Sequence, residues 1–275
     1  MRASATRSKR QPPTVPVQSP GPRGEAAPGH FADLLAAVQV HNFGRRKGER
    51  TRDRLRLAAV QTLEQRGYLQ LRVADICKKA KVSPAVFYLY YPNKEAITVE
   101  VLSEFLRHTF RVEEVPAAPR PRRALFDSLM AKNLAWIKGI RSNAGLARCL
   151  LQLADQVPGF KQLVSESNYH WASLVTERLM RRHPSVTVDR NALLLAVYAV
   201  SGMVDDLCSR LMVSRDERIV AVVGAVVPDD EALAEFVSLL WYRALFGADP
   251  PRLRHDASRK LLALTDIPTS ESGSD

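Results

Sequence analysis

From Phe31 onward, apolar residues recur along this chain at helical spacing. Phe31, Leu34, Leu35 and Val38 fall at i, i+3, i+4 and i+7 and predict a short amphipathic helix over 31–41. Leu55, Ala58, Ala59 and Leu63 share one face of a helix over 51–66 that Gly67 terminates. Val73, Ile76, Cys77 and Ala80 repeat the stripe on a helix of about two turns, too short to be stable alone. Ser83 is placed to cap the next helix and Pro84 to occupy its first position, where a missing N–H costs nothing. On that helix Phe87 and Tyr91 face inward, leaving Ala85, Val86, Tyr88 and Leu89 toward solvent or a groove. Two helices joined by a tight turn, the second opened by Ser-Pro, form a helix-turn-helix. Asn93 caps a following helix over 94–111.

The run EEVPAAPRPR holds three prolines in ten residues and marks a domain boundary. Beyond it, the pattern predicts helices over 123–140, 143–156, 160–182, 190–212, 216–226 and 230–246, with Asp189 and Asp229 as N-caps. IVAVVGAVV would also suit a strand, but no second strand is available to pair with it. The expected fold is all-α, with an N-terminal extension over 1–44, a helix-turn-helix domain over 45–112, a helical domain over 123–265 and a tail over 266–275.

Charge separates the halves. Residues 1–112 carry 20 Lys plus Arg against 9 Asp plus Glu, and residues 113–275 carry 20 against 20, so the net charge of +11 lies wholly in the first part. A basic footprint on a helix-turn-helix points to double-stranded DNA as partner. Residues 1–29, with six prolines, are expected to stay disordered. The helix after them is expected to pack on the DNA-binding domain, a partner-docking helix being the alternative. Cys77, Cys149 and Cys208 stand far apart without a C-x-x-C, as in a reduced, cytoplasmic protein. The longest apolar stretch, over 192–204, is too short to span a bilayer, so no membrane segment is expected.

TRDRLRLAAVQTLEQRGY, VADICKKAKVS and AVFYLYYPNKEAI together resemble the tetracycline-repressor (TetR) family of bacterial transcription regulators, over 51–97. The resemblance implies that Ser83, Pro84, Ala85 and Val86 enter the major groove, and that Tyr88, Tyr90 and Lys94 touch phosphates. Lys94 stands in the first turn of its helix, where a cation opposes the helix dipole unless a phosphate faces it. The chain departs from the family pattern twice. Arg72 stands where a capping Thr is usual, which removes the reciprocal cap with Asp75 and frees Arg72 for a phosphate. Lys81 stands where Gly is usual, so a left-handed turn costs roughly 1 kcal/mol. The recognition helix offers no Arg, Asn or Gln for bidentate base contacts. Ala85 and Val86 are therefore expected on thymine methyls, with Arg45, Arg46 and Lys47 entering a flanking A·T-rich minor groove.

The helix over 190–212 is apolar nearly all round, and Leu233, Phe236, Val237, Leu240, Trp241 and Ala244 give the last long helix a wide apolar face. In the resembled family these helices join two subunits, which implies a homodimer on a palindromic operator. Polar or amphipathic residues on or beside apolar stripes (Asn133, Trp136, Cys149, Ser167, His170, Trp171 and Tyr198) are candidates to line a site for a small hydrophobic effector. No cofactor and no catalytic or metal-binding constellation is expected: the six histidines lack ligand spacing, and there is no G-x-S-x-G or P-loop. Asp205 and Asp206 read as solvated or ion-paired. The chain is thus expected to be a ligand-released repressor, or alternatively an architectural or partner-recruiting DNA-binding protein whose second domain only dimerises.

Overall fold

The computed structural model describes residues 29–40, 44, 46–109, 122–153, 157–182 and 187–262. The predicted disordered ends, Arg45 and the proline-rich boundary lie outside them. The described residues form twelve α-helices and no strand: α1 (Phe31–Val40), α2 (Lys47–Gln70), α3 (Val73–Ala80), α4 (Pro84–Tyr90), α5 (Lys94–Thr109), α6 (Arg122–Ser142), α7 (Ala144–Leu153), α8 (Pro158–Arg182), α9 (Arg190–Cys208), α10 (Glu217–Val226), α11 (Asp230–Phe246) and α12 (Asp256–Leu262). A π-helical turn, Ser209–Val213, prolongs α9. The IVAVVGAVV stretch is helical through Val226, within α10, with Val227 as its extended C-cap.

The expected caps form. Ser83, Asn93, Asp189 and Asp229 accept from the backbone N–H groups of Val86, Ala96, Ala192 and Ala232, at 3.4, 2.8, 2.8 and 2.8 Å. Gly67 interrupts α2 with φ 70° and ψ 171°, a conformation that no L side chain adopts comfortably. Lys81 takes the left-handed turn at φ 55°, ψ 49°. Arg72 makes no side-chain cap to α3, and Asp75 instead pairs with Arg66 at 3.0 Å.

Two hydrophobic cores result. The first joins α1 to α5 but also takes in Leu146, Cys149, Leu150 and Leu153 of α7 and Phe160 of α8. The boundary read from the prolines therefore does not separate two independent cores. Periodicity shows that a face is buried, not what buries it. α2 and α7 touch backbone to backbone at Gly145, where a Cβ would lie 2.7 Å from Glu64 Cα. The second core is built from α6, α8, α9 and α11.

α1 packs on α2 and sinks Phe31, Ala32 and Leu35, while Leu34 and Val38 stay exposed. The Phe31 ring lies edge-on to Phe105 at 5.6 Å. Its backbone N–H donates to Asn143 Oδ1 at 2.7 Å, tying the N-terminal extension to the joint between α6 and α7. The Asn143 amide donates in turn to the Gly139 carbonyl at 2.8 Å.

Candidate nucleic-acid interface

α3 and α4 are held by side chains that the pattern placed inward: Ile76, Cys77, Ala80, Phe87 and Tyr91 are all buried. The Tyr91 hydroxyl donates to Glu100 Oε1 at 3.2 Å and accepts from Arg52 Nε at 3.3 Å, while Arg52 Nη2 reaches Glu100 Oε2 at 2.6 Å. This clasp fastens the end of α4 to α2 and α5. Burial, with Glu100 alongside, pushes the Tyr91 phenol up to about 12.

The opposite face of α4 is open. Ser83, Pro84 and Ala85 are exposed, Tyr88 and Leu89 strongly so, and Val86 is half-buried. Around this face Arg72, Lys78 and Lys81 are exposed and make no ion pair among the described residues, whereas Lys79 donates to Gln65 at 3.1 Å. Arg46 and Lys47 are exposed at the start of α2, with the Arg46 N–H donating to Glu49 Oε2 at 3.0 Å. α2 begins four residues earlier than the pattern suggested, so Lys47 belongs to its first turn rather than to an extended arm. Tyr90 is half-buried, and its hydroxyl sits 3.4 Å from where a Cβ on Gly48 would be.

Lys94 has a different setting from the one expected. Its Nζ donates to the carbonyls of Tyr68 and Leu71, at 3.2 and 3.1 Å, and stands 4.5 Å from the centre of the Tyr68 ring. The cation that looked misplaced at the start of α5 satisfies the C-terminal end of α2, where its charge suits the dipole. No phosphate is needed to explain its position. The sequence signal was a long side chain opposite the Gly67 break, legible only once the two helix ends are brought together.

The candidate effector residues do not converge. Asn133 is buried and donates to Ser238 Oγ at 2.8 Å, and Trp136 and Trp171 pack against the second core. Ser167 is half-buried. Cys149 belongs to the first core, its thiol facing the Leu63 carbonyl at 3.9 Å, because α7 packs on α2. His170 and Tyr198 are exposed on α8 and α9. Asp205, expected to be solvated or ion-paired, lies by the Trp136 indole; burial raises its carboxyl to about 7, with the indole hydrogen bond opposing that rise. Asp206 is ion-paired as expected, to Arg210 at 2.7 Å.

α9 and its π-turn make one run of 24 residues, long and apolar enough by length and composition to cross a membrane, which the shorter apolar stretch in the sequence did not suggest. One face of the run packs Val197, Val200, Val204 and Cys208 into the second core. The other leaves Leu195, Tyr198 and Met203 exposed, and Val222 and Val226 are exposed on α10. The wide apolar face expected of α11 is largely turned inward, with Leu233, Val237 and Trp241 buried.

Residues 55–101 match the family model described as bacterial regulatory proteins, tetR family. The chain is 41% identical over 59 residues to the uncharacterized HTH-type transcriptional regulator YdgC of Bacillus subtilis, a match covering 22% of this chain and 30% of that one. It is 22% identical over 199 residues to the HTH-type transcriptional regulator EthR of Mycolicibacterium smegmatis, covering 70% of this chain and 84% of that one. The fold is that of a tetR-family transcriptional regulator from Streptomyces coelicolor, with a TM-score of 0.54 and 16% identity over 71% of this chain and 80% of that structure. These proteins are regulators by name, not enzymes. With the helix-turn-helix intact, residues 55–101 carry the DNA-binding module of the tetR family of bacterial regulatory proteins, and the fold beyond it is shared with a regulator of that family.

Proposed function

We propose that this chain is a homodimeric transcriptional repressor that acts in the cytoplasm on nucleoid DNA, binds a palindromic operator and is released by a small hydrophobic effector. The observation that carries the reading is the open face of α4, in a helix-turn-helix whose Arg72, Lys78 and Lys81 are exposed and without acidic partners among the described residues. Unpaired cations beside a projecting helix favour a polyanion with a groove. In this reading Ser83 to Leu89 sit in the major groove. Arg72, Tyr90 and the α2 start at Arg46 and Lys47 hold phosphates, with Arg45 in the same segment, and Lys94 keeps one N–H for the backbone. The exposed apolar residues of α9, Leu195, Tyr198 and Met203, support self-association, since a second copy would remove them from water. The effector would lie among Asn133, Trp136, Ser167 and Trp171.

A second reading, an architectural or partner-recruiting protein whose C-terminal half only dimerises, is favoured by the scatter of Cys149, His170 and Tyr198 away from that interior. Selection of binding sites from a random DNA library by the full-length protein, followed by a salt titration, tests both. An enriched inverted repeat with steeply salt-dependent affinity is expected of the first. Salt-sensitive binding with no enriched sequence would favour the second, and no binding would overturn both.

A further inference from the structure

What the interface reads can be specified further, on the basis of the DNA-binding reading above. Ala85, Tyr88 and Leu89 fall at i, i+3 and i+4 and form one outward strip of α4, with Leu89 81% exposed. A lone exposed leucine is ordinary. Here, however, none of the seven residues of α4 is a charged or amide side chain able to bond a base edge at two points. The Ser83 hydroxyl is engaged with Val86 N–H, and the Tyr88 ring is braced edge-on by buried Phe87 at 5.4 Å. Arg72, Lys78 and Lys81, on α3 or at its two caps, are exposed and make no ion pair among the described residues.

An apolar strip on a helix-turn-helix that also carries exposed, unpaired cations complements a surface with anionic rims and an apolar floor. The DNA major groove has phosphate rims, and the apolar group that its bases offer there is the C5-methyl of thymine. A helix of seven residues is about 10 Å long at ~1.5 Å per residue, within a groove of about 12 Å.

We infer that Ala85 and Leu89 recognise thymine methyl groups in each operator half-site, Leu89 making the larger contact. Val86, expected from the sequence to share this role, is half-buried and offers less surface than Leu89. Recognition by methyl rather than by hydrogen-bonding edge has a distinctive consequence: 5-methylcytosine carries the same methyl on a different edge and should substitute for thymine.

The test uses the full-length protein and the operator obtained by selection. In one duplex the half-site thymines become deoxyuridine, which removes only the methyls; in another, A·T pairs become G·5-methylcytosine. Loss of each contacted methyl should weaken binding about fourfold. The 5-methylcytosine duplex should bind better than its unmethylated counterpart by a similar factor. Leu89→Ala, at a surface position that the fold does not need, should bring the thymine-to-uracil ratio toward one without changing the salt slope. Equal affinity of the wild type for thymine and uracil duplexes overturns the inference while leaving DNA binding intact. So does an unchanged ratio in Leu89→Ala, the result expected if the strip instead holds a protein partner. Absence of any enriched site overturns the underlying reading as well.

Discussion

In the first core Phe31, Phe87, Phe105 and Phe160 are each fully or almost fully buried, and Tyr91, its one buried phenol, has its hydroxyl bonded on both sides. In the second, the Trp241 indole N–H is buried with no hydrogen-bond partner, Asp205 is raised by burial, and α9 carries an uncovered apolar side. The first half fixes its buried groups, as a surface that must present a fixed helix to a rigid partner requires. The second retains an unsatisfied indole and a buried carboxyl beside an uncovered helix side, features that a second subunit or a ligand can complete.

The sharpest way to break this contrast is Phe87→Ala, which opens a cavity beneath α4. It should cost about 3–5 kcal/mol in urea unfolding and abolish DNA binding. Binding retained at full affinity would mean that α4 is not held by the first core. Next in size, Leu195→Glu with Met203→Glu would place two unpaired carboxylates on the strip of α9. Sedimentation should show at least a hundredfold weaker self-association, roughly 3 kcal/mol, with the far-ultraviolet circular dichroism unchanged.

A smaller effect is expected at Asp205. Its carboxyl lies at about 7 in the folded chain against an ordinary 3.8. Folding therefore favours the protonated form: the stabilisation is complete below about pH 4 and is lost as pH rises through 7. Asp205→Asn should match the wild type at pH 4 and exceed it by about 1–2 kcal/mol at pH 8 in chemical denaturation. Equal curves at pH 8 would show the carboxylate well solvated. Smallest is Lys81→Gly, which relieves a left-handed turn at φ 55°. A gain of roughly 0.5–1 kcal/mol should appear in thermal unfolding, offset in DNA binding by one lost cation.

Local chemistry made much of this molecule legible in advance. Ser83, Asn93, Asp189 and Asp229 cap because a short polar oxygen beside a helix start has few other uses, and the stripe of α3 is a local period. Relations between distant segments were not legible. Asn133 is a polar intrusion in an apolar stripe whose hydrogen-bond partner, Ser238, lies 105 residues away. Lys94 gave no sign in the sequence of its bonds to the end of α2, which only the packing of the two helix ends reveals. Cys149 lies in the first core rather than beside the other effector candidates, because nothing in its own period distinguishes α2 from α9 as neighbour. Gly145 gave no signal at all: a glycine needed for close helix approach has the same letter as one in a turn.

The three thiols serve as a built-in clock. Cys77 and Cys149 lie in the first core and Cys208 in the second, all buried and all raised by burial, the last to about 12. A native-state alkylating agent can reach none of them until its surroundings open. Mass spectrometry of the modified peptides would therefore time the opening of each half separately in the unaltered chain, with no introduced label.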